Sequence, residues 1–148
     1  MQWTRDGYTV SDDRWRVDRE AVHAFLADSY WARGISREIV ERSIRHSLCF
    51  GIYRGDIQAG FARVVTDHAT FAYLADVFVL PVHRGRGLGK WMMECILAHP
   101  DLQGLRRFLL GTRDAHGLYA RFGFAAPRNP TIWMEIHDER AYMPSERS

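Results

Sequence analysis

The fold of this chain can be worked out from one stretch, Phe78-Val79-Leu80-Pro81-Val82-His83-Arg84-Gly85-Arg86-Gly87-Leu88-Gly89-Lys90. It begins as an apolar strand, is interrupted by proline, passes three glycines and enters a segment with helical periodicity. Glycines let successive backbone N–H groups point into one concavity, and the free N–H groups of a helix start favour negative charge. The stretch therefore predicts a cradle for phosphate oxygens, made more positive by Arg84, Arg86 and Lys90.

The spacing of the glycines excludes two nucleotide-binding motifs. A Walker A loop ending at Gly89-Lys90 would need glycine where Arg84 stands and serine or threonine where Trp91 stands. A dinucleotide fingerprint that begins at Gly85 would need glycine at Lys90. What remains is the pattern Arg84-x-x-Gly87-x-Gly89. By itself it also fits an ordinary Arg/Gly-rich surface turn, or an RNA contact made by residues 84–87.

Length and composition predict one globular domain over residues 1–148, with residues 1–6 and 139–148 as loose tails. The net charge of +2, from 20 basic and 18 acidic residues, argues against a dedicated nucleic-acid binder. No apolar run is long enough for a membrane span, and the first residues lack the apolar core of a signal peptide. We therefore expect a cytoplasmic protein with no membrane or nucleic-acid partner, as a monomer or a homodimer.

Hydrophobic periodicity predicts a mixed α+β domain. Helices are expected after the capping residues Asp18 and Ser36. Residues 107–111 are typical of a central strand that is reached through a helical crossover and therefore lies parallel to the strand before the glycines. The other predicted elements are strands at 8–11, 48–54, 57–66, 70–79 and 131–137 and helices at 88–99 and 115–122.

A second motif lies downstream, in residues 115–124, with the pattern A-x-x-L-Y-x-x-x-G-F. Together with Arg84-x-x-Gly87-x-Gly89, in this order and separated by one helix and one strand, it resembles the GNAT superfamily of acetyl-CoA-dependent N-acetyltransferases. The resemblance extends over most of the chain. One departure is Thr112, which stands where the family often has asparagine.

The resemblance implies a mostly antiparallel sheet flanked by about four helices, in which the fourth and fifth predicted strands run parallel and splay apart. It implies acetyl-CoA as co-substrate, or a longer acyl-CoA, and no metal. Main-chain groups of Val77, Phe78 and Val79 would pair with the pantetheine arm. The pyrophosphate would be held by the loop and helix start that comprise Arg84, Gly85, Arg86, Gly87, Leu88, Gly89 and Lys90.

The resemblance also assigns the general acid to Tyr119, because a phenol with a pKa near 10 can donate a proton to the leaving thiolate. The general base stays open. Some family members have a glutamate where this chain has Tyr73. Asp76 is an alternative base, but a regular strand would point it to the other face unless a bulge intervenes. Water or a histidine among His68, His83 and His116 could also take the proton.

The acceptor is expected to be the primary amine of a small molecule, in a site walled by aromatic side chains. Arg33 could pair with a carboxylate of that molecule. The candidate acceptor residues are Tyr30, Trp31, Arg33, Phe71, Tyr73 and Trp133. A protein N-terminus or lysine is an alternative acceptor, and a non-catalytic acetyl-CoA-binding or regulatory module is an alternative function.

Overall fold

The computed structural model describes residues 1–143, which form one six-stranded sheet with four helices. The strands are β1 (Gln2–Arg5), β2 (Tyr8–Ser11), β3 (Leu48–Arg54), β4 (Ile57–Thr66), β5 (Phe71–Val79) and β6 (Arg107–Leu110). The helices are α1 (Arg19–Asp28), α2 (Arg37–Arg45), α3 (Leu88–Ala98) and α4 (His116–Ala120). Asp18 and Ser36 cap α1 and α2 with their side-chain oxygens, as predicted.

The strand order in the sheet follows the chain, from β1 at one edge to β6 at the other. Neighbours pair antiparallel up to β5, and β5 pairs parallel with β6. The mixed, mostly antiparallel sheet of the predicted α+β fold is thus confirmed. The parallel pair is β5 and β6 because the chain contains one strand more than expected before it.

Two apolar clusters cover the two faces of the sheet. On one face, α3 contributes Trp91, Met92 and Ile96 to a cluster with Phe50 and Ile52 of β3. On the other face, α1 and α2 pack over apolar residues of three strands, among them Cys49, Phe61 and Phe78. Both cysteines are buried and free. The sheet is therefore the middle layer of three.

The expectation of a loose N-terminus is wrong. Residues 2–5 form β1, which pairs with β2 through a turn at Asp6 and Gly7, both with positive φ (52° and 83°). An Asp-Gly pair suits such a tight hairpin turn. The strand itself has little signal because Trp3 is its one apolar residue, packed against the core beside Phe50.

The C-terminal part also differs from the prediction. Residues 131–137 form no strand: a 3₁₀ turn at Pro130–Ile132 is followed by residues without regular structure. Consequently β6 is an edge strand and not a central one, and none of its residues is fully buried. Residues 138–143 form turns, and the rest of the predicted tail, 144–148, lies outside the described residues.

Candidate active site

The parallel strands β5 and β6 separate after four residue pairs, from Phe71↔Arg107 to Leu74↔Leu110. Beyond Leu74, β5 continues to Val79, while β6 has ended. The backbone groups of residues 75–79 on that side therefore have no strand partner in the described part of the chain. This is the splay that the resemblance implies, and it leaves a cleft between the two strands.

A cavity of about 510 Å³ lies at this splay, between α2, β5 and α4. It brings together six of the predicted site residues: Tyr30, Trp31, Tyr73, Asp76, Val77 and Tyr119. Thr112, the departure from the family pattern noted above, also lines it, together with three residues that sequence reasoning missed: Arg63, Asp114 and Tyr142. Tyr142 lies beyond both motifs, and no local pattern could have assigned it to the cavity.

A β-bulge decides where Asp76 points. Arg63 pairs with Ala75 and Phe61 with Phe78, so that Ala62 alone faces Asp76 and Val77. Asp76 itself has a positive φ of 56°. The extra residue reverses the alternation of β5 and places the Asp76 carboxylate on the same face as Arg63 and Tyr73. The bulge that Asp76 needs in order to face the site is therefore present.

Both oxygens of the Asp76 carboxylate accept hydrogen bonds. The indole Nε1 of Trp31 donates to Oδ1 at 2.9 Å, and Nε of Arg63 donates to Oδ2 at 2.8 Å. Arg63 in turn donates to the hydroxyl of Ser47 at 3.2 Å. The Arg63–Asp76 ion pair is mostly buried, with side-chain exposures of 19% and 10%. This network fixes the loop between α1 and α2 against the floor of the cavity.

Tyr119 is half-buried on α4, where its ring meets Phe124 edge-on at 6.0 Å. Burial, with a smaller effect of the nearby Tyr30, raises the pKa of the Tyr119 phenol above its ordinary value. The phenol is therefore protonated at neutral pH and able to donate. Thr112 also lines the cavity, and its hydroxyl accepts from the backbone N–H of Ala115 at 3.0 Å, just before α4 begins.

The aromatic wall of the cavity comes from the loop after α1. Tyr30 and Trp31 meet edge-on at 5.1 Å, and the guanidinium of Arg113 lies 3.8 Å from the ring centroid of Tyr30. Three predicted acceptor residues are not brought to this wall. Arg33 is exposed, Phe71 lies at the start of β5, and the ring of Trp133 lies 4.8 Å from the guanidinium of Arg107. Arg33, Phe71 and Trp133 are all outside the cavity lining.

The glycine loop has the backbone that a phosphate cradle needs. After a 3₁₀ turn at Pro81–His83, Gly85 and Gly87 have φ of 81° and 72°, and Gly87 is the N-cap of α3. Nothing approaches within 4 Å of the space where a Cβ of Gly85 would lie. Arg86 and Lys90 are exposed, while Leu88 is buried in the core.

Two arginines around this loop were not anticipated in their roles. A guanidinium nitrogen of Arg5 on β1 lies 4.0 Å from the Cβ position of Gly87, and the group stacks 5.3 Å from the Trp91 ring. Arg84 donates from Nε to the backbone oxygen of Val79 at 2.8 Å. Arg5 adds a cation to the cradle from β1, a strand that the sequence analysis did not predict. Arg84 stabilises the turn that follows β5.

The histidines considered as bases lie away from the cavity. His83 contacts the hydroxyl of Tyr8 at 2.9 Å, and His68 contacts Asp101 at 3.1 Å. His116 is exposed on α4, beside a second groove. None of the three belongs to the cavity lining. Within residues 1–143, no group of three or more His, Cys, Asp and Glu side chains is arranged to hold a metal ion.

Comparison with known proteins agrees with the geometry. The model of the acetyltransferase (GNAT) family matches residues 9–124, which include both motifs, the splayed strands and the bulge. The chain belongs to the acetyltransferase (GNAT) family. Members of this family use acetyl-CoA, and the assignment identifies an acyl-CoA-dependent N-acetyltransferase.

Individual relatives support the same assignment. A protein of Gibberella zeae named as a candidate acetyltransferase is 34% identical, covering 82% of this chain and 80% of its own. A Xanthomonas campestris crystal structure, described as a candidate acetyltransferase of the GNAT family, is 51% identical with a TM-score of 0.92, over 95% of this chain and 100% of its own. A Clostridium acetobutylicum structure described with acetyl-CoA, 13% identical with a TM-score of 0.62, shares the fold over 93% and 96% of the two chains.

None of the helices among the described residues is long and apolar enough to cross a membrane.

Proposed function

We propose that this acetyltransferase transfers the acetyl group of acetyl-CoA to the primary amine of a small molecule, by direct attack in a ternary complex. One observation carries the proposal. The cavity at the splay of β5 and β6 joins a protonated phenol, a carboxylate and an aromatic wall beside unpaired backbone groups. Acetyl-CoA supplies the activated acetyl group, and residues of this chain bind the acceptor, remove its proton and protonate the leaving thiolate.

The donor site is assigned to the free side of β5 and to the start of α3. Main-chain groups of Val77 and Phe78 are available there for a pantetheine arm, as an added strand would use them. The positive-φ glycines Gly85 and Gly87 and the N-terminus of the 11-residue helix α3 suit a pyrophosphate. Arg5, Arg86 and Lys90 would neutralise its charge. The residues present thus fit a phosphorylated ligand of this kind.

Tyr119 is proposed as the general acid. Its phenol opens into the cavity, and a raised pKa keeps the proton available over the whole physiological range. Asp76 is proposed to accept the proton of the amine, directly or through one water. Each carboxylate oxygen has two lone pairs, so the contacts with Trp31 and Arg63 leave acceptor capacity free.

The size of the cavity and its aromatic wall favour a small acceptor over a protein chain. Its volume of about 510 Å³ lies within the ordinary range of small-molecule sites, roughly 300–1,000 Å³. Tyr30 and Trp31 wall it on one side, and Tyr142 reaches it from the C-terminal part of the chain. A backbone Cβ at Gly34 would lie 3.0 Å from the Tyr142 carbonyl, so this part of the chain sits against the loop after α1.

The test is a turnover screen with acetyl-CoA and amino acids, polyamines, aminoglycosides, arylamines and peptides, followed by Tyr119→Phe on the best acceptor. We expect turnover with a small amine. We expect kcat to fall by about 100-fold or more in Tyr119→Phe, since general acid catalysis contributes roughly 10²- to 10⁴-fold. Binding of CoA should be unchanged. Tyr53→Phe, in β3 and outside the cavity lining, is the control and should retain kcat.

Other outcomes would replace parts of the proposal. Turnover with peptides alone would make the protein a peptide or protein acetyltransferase. Tight CoA binding without turnover on any amine class would indicate a binding module. An unchanged kcat in Tyr119→Phe would remove Tyr119 from the mechanism.

A further inference from the structure

Arg113 lies beside the acceptor cavity, stacked on one of its aromatic residues. It belongs to the connection between β6 and α4, and its chain neighbours Thr112 and Asp114 both line the cavity. Its guanidinium lies 3.8 Å from the ring centroid of Tyr30 in the aromatic wall. Within residues 1–143 its N–H groups form no hydrogen bond or ion pair. Other arginines that lie over aromatic rings do have a polar partner: Arg5 has Glu94, Arg16 has the backbone oxygen of Gly55, and Arg54 has the hydroxyl of Tyr8.

The contact with Tyr30 prepares Arg113 for a ligand. A guanidinium group is planar, and an arginine held on a ring keeps its N–H donors in that plane for a partner at its edge. Two of these N–H groups match the two oxygens of a carboxylate. Because the side chain is already held by the ring, less of its freedom is lost when a ligand binds.

The charges that line the cavity favour a singly charged anion at this position. Arg63 and Asp76 form a mostly buried ion pair and offset each other. Asp114 adds a further carboxylate to the lining, next to Arg113 in the chain. A phosphate dianion would be repelled by Asp114, whereas a zwitterion can place its ammonium near Asp114 and its carboxylate on Arg113.

Tyr30 connects Arg113 with the proposed general acid. Its ring carries the guanidinium, and Tyr30 also lies close enough to Tyr119 to contribute to the raised pKa of that phenol. A small molecule can therefore contact Arg113 while its amine is in the cavity. Arg33, which the sequence analysis expected to pair with a carboxylate, lies outside the cavity lining. Arg113 meets the same requirement from a different loop.

We propose that the acceptor carries a carboxylate besides its primary amine, as an amino acid does, and that Arg113 binds this carboxylate. The proposal rests on the proposed function, because it names the acceptor class of the same cavity. Arg113 is a specificity-determining residue and takes no part in proton transfer.

Turnover of amino acids and of their primary amides tests the proposal. We expect the wild type to use an amino acid. The ratio of kcat/KM for the acid to kcat/KM for its amide should fall by about tenfold or more in Arg113→Gln, as for the loss of hydrogen bonds to a charged group. Comparing this ratio between enzymes cancels the intrinsic reactivity of each amine. Arg33→Gln is the matched control, since Arg33 is an exposed arginine outside the lining, and its ratio should equal that of the wild type.

Further variants test the stacking contact. Tyr30→Phe keeps the ring and should keep the ratio, whereas Tyr30→Leu should lower it towards that of Arg113→Gln. Arg113→Lys keeps the charge but not the planar fork, so it should retain only part of the preference. All these variants should bind CoA as the wild type does and keep its circular dichroism spectrum, because Tyr30 and Arg113 are exposed.

The outcomes separate this proposal from the proposed function. Turnover of amines without a carboxylate, such as putrescine or phenethylamine, in preference to every amino acid would overturn the carboxylate assignment and leave the acetyltransferase mechanism in place. An unchanged ratio in Arg113→Gln would do the same, and so would a preference for phosphoethanolamine, since the anion would then be a phosphate. Absence of turnover on all amines would reject the proposed function, and the carboxylate assignment with it.

Discussion

The hydroxyl of Tyr53 is the buried side-chain polar atom for which the structure of residues 1–143 gives no hydrogen-bond partner. The ring covers Gly51, where a Cβ would lie 2.2 Å from the Tyr53 oxygen, and Arg16 stacks on it at 4.2 Å. Burial raises the pKa of this phenol well above its usual range. Packing holds the ring in place, whereas burial of the hydroxyl costs desolvation free energy that no hydrogen bond offsets.

We therefore expect Tyr53→Phe to increase the free energy of unfolding by about 1 kcal/mol, because an unsatisfied buried hydroxyl costs roughly that amount or more. Urea denaturation measures the change. Tyr8→Phe is the control in the neighbouring strand: it loses contacts with His83 at 2.9 Å and Arg54 at 3.4 Å. That variant should lose about 1 kcal/mol. Equal losses in both variants would contradict the assignment.

Asp67 shows how one side chain fixes a turn between two elements. It precedes β5 and accepts from the Thr70 hydroxyl at 2.6 Å and from the backbone N–H groups of Ala69, Thr70 and Phe71 at 2.8–3.1 Å. These hydrogen bonds, that of the Thr70 hydroxyl first, hold the pKa of the Asp67 carboxyl far below its usual value. The charged form thus stabilises the hairpin between β4 and β5.

A carboxyl group whose pKa is lower in the folded than in the unfolded state stabilises the fold at pH values above its unfolded pKa, near 3.8 for Asp67. This contribution disappears as the pH falls through the pKa of the folded state. We expect Asp67→Asn to unfold at lower urea than the wild type at pH 7, with a smaller difference at pH 3. Asp56→Asn, in the hairpin turn between β3 and β4, is the control. A difference between wild type and Asp67→Asn that stays constant with pH would contradict the prediction.

At the level of elements, the sequence was informative wherever a motif or a periodic pattern lay within one segment. The glycine loop, the Tyr119 helix and the meander of β3 to β5 were predicted for this reason. The bulge at Asp76 has no such signature, because an aspartate at positive φ looks like any other strand residue until its pairing with β4 is known. Strand β1 was missed because a hairpin edge needs only one apolar side chain.

At the scale of the whole molecule, both parts of the candidate site include residues that are distant in the chain and that no local sequence pattern could assign to it. Arg5 reaches the glycine loop, and Tyr142 reaches the acceptor cavity. The terminal strand expected at 131–137 is the opposite case, since its pattern is present but it pairs with no strand among residues 1–143. Pattern can establish that a segment is suited to a strand, whereas the identity of its neighbour depends on the assembled fold.

Besides the pairing of β2 with β3, a contact between His99, just after α3, and Asp12 ties the N-terminal hairpin to the rest of the molecule. The backbone N–H of Asp101 donates to Nδ1 of His99, so Nε2 carries a hydrogen and donates to Asp12 at 2.7 Å. Burial tends to raise the pKa of the Asp12 carboxyl, but hydrogen bonds from the N-terminal ammonium and from His99 bring it below its ordinary value. Asp12 thus joins the end of the β1–β2 hairpin to the C-terminal end of α3.

We expect Asp12→Ala to lower the free energy of unfolding at pH 7 by about 2 kcal/mol, as for hydrogen bonds to a charged group. The loss should shrink below about pH 4, where the carboxylate contributes less. Calorimetry at both pH values, with hydrogen exchange of β1, measures the two effects. If β1 amides keep their wild-type protection, the contacts of Asp12 with the N-terminal ammonium and His99 do not hold the hairpin.

The agreement between strand order and chain order has a consequence for synthesis on the ribosome. From β1 to β5, each strand pairs with the one made just before it, so these pairings can form as the nascent chain emerges; all of them close short turns except that of β2 with β3, which spans α1 and α2. The pairing of β5 with β6 must wait until all of α3 has been made. The cleft at the splay is therefore completed last, and a nascent chain that ends before Leu110 has a folded meander but no place for the reaction.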